Sequence, residues 1–249
     1  MAEQDDWISR VEDTDISVFE IKSQTTDKDK RSLLTVQNFL RAQLGTYGYL
    51  EVGSYRGGSL VPHLVDPACT AIASIDPRPD VLPDERGRAA RYDDNSTEAM
   101  IEGLAQVVPL DTLGKLKTYD CDAGDLSDYP IEGGFNLAMI DGEHTNAAAF
   151  RDFVNIRKYM AKDSIVLFHD SNLVFDALQN IETLLRAQRR GYRAYYLPGI
   201  LFALVFGKLM KPSEAVLGPL AREPGRYLRR ARKQLHERIA RHWNDQNAA

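Results

Sequence analysis

Cysteine is nearly absent. Cys69 and Cys121 are the two thiols in 249 residues, with neither the paired spacing of a metal site nor the density of a disulfide-stapled secreted domain. Both therefore read as reduced cytosolic thiols without an assigned role. Long hydrophobic runs are missing too. The longest apolar stretch, Leu197 to Gly207, falls far short of the ~18 residues that span a bilayer, and Met1-Ala-Glu-Gln-Asp-Asp lacks the basic and apolar regions of a secretory signal. A soluble, cytoplasmic chain with no transmembrane segment is the expectation. Positive charge is scarce over most of the length. The formal net charge is −5, yet from Lys208 onward ten Lys/Arg face four acids, a net of +6 that leaves −11 for everything before it. A body this acidic lacks the basic face that neutralises phosphates, which argues against nucleic acid as the partner. No internal repeat, low-complexity segment or Pro/Gly/Ser-rich linker divides the chain, so one α/β domain with short extensions is expected.

What is present is an alternation of short apolar runs and helical periodicity. Residues 1–30 are acidic, with Trp7, Ile8, Val18, Phe19 and Ile21 scattered among charges, and read as an irregular cap. Leu33, Leu34, Val36, Phe39 and Leu40 recur at helical spacing, and Gly45 stops that helix. Strands are expected at 49–53, 71–76, 115–121, 135–141 and 164–169, each followed by a helical pattern. The clearest helices are Ser96 to Val107, with Asn95 and Glu98 at capping-box spacing, Ala147 to Met160 and Leu173 to Arg190. The runs 192–197 and 201–206 flank Pro198-Gly199 as an antiparallel hairpin.

Strand-helix alternation forces parallel pairing with right-handed crossovers. The expected fold is a Rossmann-like α/β sheet of seven mostly parallel strands, closed by the C-terminal antiparallel hairpin, with helices on both faces. The division is 1–34 as cap or lid, 35–209 as the main domain, and 210–249 as a basic amphipathic helical extension. In that extension Leu228, Ala231, Leu235, Ile239 and Trp243 fall on one stripe. The stripe packs on the body or on a second copy, with recruitment to an acidic glycan or a membrane surface as the alternative, and a homodimer is the expected state.

In such a sheet the ligand crevice lies beyond the carboxyl ends of the strands. Strand one ends in Glu51-Val-Gly53-Ser-Tyr-Arg-Gly57-Gly58-Ser59, where glycine lets the backbone approach a ligand and turn. Asp76 ends strand two, placed to accept ribose hydroxyls, and Asp122-Ala123-Gly124 follows strand three. The polar stretch from Pro77 to Tyr92 reads as a loop over the site. Strand four ends in Asp141-Gly-Glu-His144 and strand five in His169-Asp170-Ser-Asn. Adjacent strands lie ~4.8 Å apart, so Asp141 and Asp170 reach one point above the sheet if strands four and five are neighbours. Two carboxylates suit a hard cation such as Mg²⁺, with Glu143 or His169 able to complete the set. His63, His236 and His242 have no such company.

The pattern Glu51-x-Gly53-x-x-x-Gly57-x-Ser59, with Asp76 and Asp122-Ala123, resembles the S-adenosylmethionine (SAM) motifs of class I methyltransferases over residues 35–208. A dinucleotide site wants Gly-x-Gly-x-x-Gly, and Tyr55 occupies its middle glycine. The resemblance implies Glu51, Gly53 and Ser59 at the methionine end, Asp76 at the ribose, Asp122 and Ala123 at the adenine, and Asp141 beside the cofactor. The strand-four and strand-five motifs are similar to those of methyltransferases acting on macrolide sugars, and more distantly of catechol O-methyltransferases, where acids at these strand ends hold Mg²⁺. That likeness implies His144 as the general base, a metal set of Asp141, His169 and Asp170, and a sugar or oligosaccharide acceptor, with methylmannose oligomers and antibiotic deoxysugars as examples. His169-Asp170 departs from the family's acid-acid or acid-amide pair, which leaves open whether His169 is a ligand. A nucleic-acid methyltransferase would show Asn/Asp-Pro-Pro-aromatic where Asp141-Gly-Glu-His stands. A non-sugar acceptor, or a SAM-binding scaffold without turnover, are the alternatives.

Overall fold

The computed structural model describes residues 2–78, 80–81, 83–87, 90–91 and 95–247. Seven strands form one sheet: β1 Tyr47–Val52, β2 Cys69–Ile75, β3 Leu116–Tyr119, β4 Phe135–Ile140, β5 Met160–Phe168, β6 Arg193–Tyr196 and β7 Phe202–Val205. Their spatial order is β3-β2-β1-β4-β5-β7-β6. The first five are parallel, and β7 joins β5 and β6 antiparallel. Strand order reverses between β1 and β4, the neighbours on either side of the crevice expected of a doubly wound sheet.

Alternating side chains feed two apolar layers. On one face Tyr47 and Tyr49 of β1 and Ile165 and Leu167 of β5 pack with α1 (Ala2–Glu12), α2 (Asp27–Leu44), α3 (Val61–Val65) and α4 (Thr97–Ala105). On the other, Leu50, Val52, Val166 and Phe168 pack with α5 (Asn146–Ile156), α6 (Phe175–Ala187) and the C-terminal helix. A short α7 (Met210–Val216) precedes that helix, α8 (Pro224–Asn247). All six β1 residues are buried, as expected of a central strand covered on both sides. Among the described residues no helix is long and apolar enough to cross a membrane.

Several local expectations change. Residues 2–12 are helical rather than irregular. Trp7 and Val11, one turn apart, are 7% and 1% exposed and join the core, a two-residue apolar face that the surrounding charges hid. The helix cap at α4 is Ser96, whose side chain accepts from Ala99 N–H, and not Asn95, which is buried and accepts from Arg78. The glycine turn after β1 opens a helix of only five residues, and β3 is followed by a 3₁₀ stretch over Ala123–Asp128. Helix α2 runs across residue 34, where the cap was expected to end. It starts with a reciprocal capping box between Thr26 and Asp29. Of the C-terminal stripe, Ala231 and Leu235 are buried on this chain's own core, while Ile239 and Trp243 are 41% and 68% exposed.

Leu34, fully buried between α2 and the sheet, should cost about 2–5 kcal/mol of stability when cut to alanine. Leu110→Ala, at a side chain 70% exposed, should stay within about 0.5 kcal/mol. Denaturant titration of both variants checks the assignment of the core.

Candidate active site

A single row of backbone hydrogen bonds carries the parallel ladder one residue past the strand ends. Asp76 N–H donates to Tyr119 O (3.1 Å), Gly53 to Ile75 O (2.7 Å), Asp141 to Val52 O (2.8 Å) and His169 to Ile140 O (3.1 Å). Each donor is the first residue beyond its strand, so four candidate site residues are set side by side by the register alone. Gly53 has φ 86°, and a Cβ there would lie 2.3 Å from the carbonyl oxygen of Asp141. No other residue fits between the two loops.

The resulting cleft has a volume of about 650 Å³, within the usual range for a cofactor-sized site. Gly53, Ser59, Asp76, Asp122, Ala123, Asp141, His144, His169 and Asp170 all line it. Glu51 does not face it. It lies fully buried one layer behind, accepting from Ser59 Oγ (2.5 Å) and Tyr49 OH (3.0 Å). Burial pushes its carboxyl up to about 8 against the pull of the Ser59 hydrogen bond, and nearby Asp141 adds to the rise. Asp76 accepts from the N–H groups of Tyr55 (2.8 Å) and Arg78 (3.2 Å), which fixes its carboxylate at the rim. Near Asp122 and Ala123, Asp152 of α5 is buried and lifted by burial to about 6, with Arg151 opposing the rise.

At the other end, Asp141, His144 and Asp170 bring one ligand atom each within 4.8 Å of one another. His144 Nε2 lies 3.4 Å from Asp141 Oδ1 and 3.4 Å from Asp170 Oδ2. His169 Nδ1 approaches the same oxygens at 3.0 and 3.6 Å, and its Nε2 is 3.7 Å from Asp29 Oδ2. Asp170 reaches inward from a left-handed backbone conformation, φ 48°, which aspartate tolerates better than most residues. Burial would raise the Asp141 pKa, but His169 and His144 outweigh it and hold the carboxyl well below its usual range. Burial likewise opposes charge on both imidazoles, yet the surrounding carboxylates raise His144 and lift His169 well above normal. Asp141 Oδ1 and both His169 nitrogens are buried without a hydrogen bond of acceptable geometry. Of these, Asp141 Oδ1 and His169 Nδ1 face the same point, a donor pair that fits a cation.

Sequence reasoning missed several residues of the site. Asp29, one layer behind His169, is the main one: fully buried, it accepts from Thr26 N–H (3.0 Å) and Ile200 N–H (2.7 Å) while facing His169. Its Thr-x-x-Asp spacing marks a helix start and says nothing of a partner 171 residues away. The preceding residues 22–25 form a wall of the cleft, and Ile200 of the hairpin forms another part. Of the loop expected over the site, residues 83–87 dock beside His144. Glu85 N–H donates to His144 O (3.1 Å), and Glu85 Oε1 accepts from Asn146 N–H (2.6 Å). Positions 79, 82, 88–89 and 92 of that loop lie outside the described residues.

Residues 50–171 match the family Methyltransf_24, described as a methyltransferase domain. No curated protein sequence matches the chain. Among solved structures the chain is similar to the O-methyltransferase NovP, with TM-score 0.56 and 10% identity over 75% of this chain and 84% of that one. It is similar to TomG, an O-methyltransferase of tomaymycin synthesis from Streptomyces achromogenes solved with SAM (TM-score 0.50, 14% identity, 81% and 90% covered). It also resembles MycE, a methyltransferase of the mycinamycin pathway solved with Mg, SAH and mycinamycin VI (TM-score 0.50, 14% identity, 80% of this chain and 55% of that one). At these identities the likeness is one of fold. The match over residues 50–171 points to a methyltransferase domain, and these neighbours share its fold.

Glu51 offers a test of the layer behind the cleft. Its carboxyl ionises near 4.5 when unperturbed and near 8 in the fold. Between those values the native state holds a proton that the unfolded chain has released, so stability falls as pH rises through the window. The ligand-free wild type should therefore lose stability relative to Glu51→Gln between pH 4.5 and 8, as read by denaturation at stepped pH. A constant difference across the window would show an ordinary carboxyl.

Proposed function

We propose that this protein transfers a methyl group from SAM to a hydroxyl oxygen of a sugar or oligosaccharide, with a divalent cation, Mg²⁺ by donor chemistry, held by Asp141, Asp170 and His169. The supporting observation is the convergence of Asp141, Asp170 and two imidazoles on one point directly beside the Gly53 turn. Two oxygen donors and one nitrogen suit a divalent ion that retains water or acceptor hydroxyls. Bound there, the cation supplies Lewis-acid polarisation of an acceptor hydroxyl.

Burial separates the roles of the two histidines. The His169 side chain is 6% exposed and leans on Asp29 with its far nitrogen, the carboxylate-histidine arrangement that orients metal ligands. His144 is 26% exposed and opens onto the cleft, as a base that must meet an acceptor requires. An alcohol must shed its proton as the methyl group arrives, and His144 takes it, with Asp141 and Asp170 stabilising the imidazolium that results. Gly53 and Ser59 would seat the methionine end of SAM, Asp76 the ribose hydroxyls, and Asp122 with Ala123 the adenine. The walls from residues 22–25, 83–87 and Ile200 would exclude water from the sulfonium.

His144→Ala should lower turnover by about 10²–10⁴-fold while leaving SAM affinity unchanged by calorimetry, and full activity in that variant would refute the base. Asp141→Asn and Asp170→Asn should lose both rate and Mg²⁺ stimulation. Activity of the wild type that survives EDTA would remove the cation from the mechanism. The acceptor class is read from a panel of sugars and catechols incubated with labelled SAM, where transfer to catechols alone would overturn the sugar assignment.

A further inference from the structure

Helix α8 carries seven Lys/Arg between residues 226 and 241 against Glu237 and Asp245. That is +5 on a chain whose total is −5, which leaves −10 on the rest. Such an asymmetry orients a molecule in a field. The inner face of the helix is spoken for by Tyr227, Ala231 and Leu235, all buried on the core beside α6. Past Leu235 the apolar stripe is no longer buried, and Ile239 and Trp243 are 41% and 68% exposed. At about 100° per residue, these two share an arc of roughly 120° with Arg229, Arg232, Lys233 and His236; no acidic residue of the helix falls inside it, and at its edges Arg232 meets Asp176 of α6 (3.5 Å) and Lys233 meets Glu237 (3.9 Å) in exposed ion pairs that lipid phosphates would replace.

We propose that this arc docks on the surface of an anionic lipid bilayer. The Trp243 indole and Ile239 would enter the headgroup region, and the flanking cations would pair with lipid phosphates. The combination distinguishes the occupant. A nucleic-acid backbone would reward the cations and leave the indole and the isoleucine in water. A second copy of this helix would bring like charge against like charge. An anionic bilayer rewards both, since tryptophan favours the membrane interface and each Lys/Arg gains from the negative surface. Neither feature alone anchors a protein, and the pair supplies the two signals that stable peripheral binding takes.

The position of the helix gives the docking a direction. A Cβ at Gly87 would lie 3.7 Å from the His242 ring, and the turn holding Gly87 is the one whose Glu85 bonds the carbonyl of His144. The outer turns of α8 thus stand beside that turn, and His242 lies outside the arc, roughly 60° from Ile239 at about 100° per residue, so the docked arc faces away from the Gly87 turn. This docking does not depend on the methyl-transfer reading, and its test reads binding rather than turnover.

The chain has two tryptophans, and Trp7 is buried, so an emission shift on adding vesicles reports Trp243. The full chain should show a blue shift and co-sediment with vesicles containing phosphatidylglycerol, do neither with pure phosphatidylcholine, and release at high salt. Arg229→Glu combined with Lys233→Glu should weaken vesicle binding on the order of tenfold or more, as should Trp243→Ser measured by sedimentation, with helicity by circular dichroism unchanged. No shift with anionic vesicles overturns the proposal. So does binding of RNA in their place, or a dimer by light scattering that shields Trp243 and leaves vesicles unbound.

Discussion

The whole site depends on one constraint: the stagger of the parallel ladder. Because each N–H in a parallel pair reaches for the carbonyl one step back on its neighbour, the bonds run on past the last strand residue. Asp76, Gly53, Asp141 and His169 are pinned in a single line across β3, β2, β1, β4 and β5. Side chains attached to that line are placed by the most rigid part of the molecule, and their loops need only aim them. The Gly53 turn and the Asp141 loop are so close that a methyl group would collide, so the two loops cannot separate without breaking the ladder.

Charge is the second organising element. Asp29, Asp141 and Asp170 surround His169, while His144 bridges Asp141 and Asp170 from the open side. Three buried or half-buried carboxylates would repel one another strongly in a medium of low dielectric. The imidazoles relieve that repulsion by holding protons, and a divalent ion is the natural competitor for the same place. Ligand binding and proton release at this cluster are thereby two sides of one equilibrium.

The sequence exposed the parts of this design that are local and periodic. Residues 49–53, 135–141 and 164–169 read as strands because short apolar runs end in Gly53, Asp141 and His169, and a residue just past a central parallel strand has few places to be. The α1 helix was hidden because it carries too few apolar positions to show a period, so Trp7 looked scattered among charges and Val11 drew no notice. Asn95 and Ser96 are both good caps, and only the packing of Arg78 against Asn95 decides between them. Glu51 carries the pattern of a cofactor residue, yet whether its carboxyl reaches the cleft or supports Ser59 from behind depends on depth, which one-dimensional spacing does not encode. The role of Asp29 was beyond reach altogether, since His169 and Ile200, which it faces across the fold, lie far along the chain.

That separation bears on how the molecule comes together. Asp29 accepts from Ile200 N–H at a sequence separation of 171, and Ser32 Oγ donates to Pro198 O at a separation of 166. During synthesis the opening helices emerge first, but the wall they build cannot lock until the closing hairpin has left the ribosome. Contacts of such long range slow folding, and until they form the apolar sides of Trp7, Leu33 and Phe39 have only a partial sheet to cover. The reaction chamber is therefore among the last features of the nascent chain to be completed, stitched by its two most distant segments.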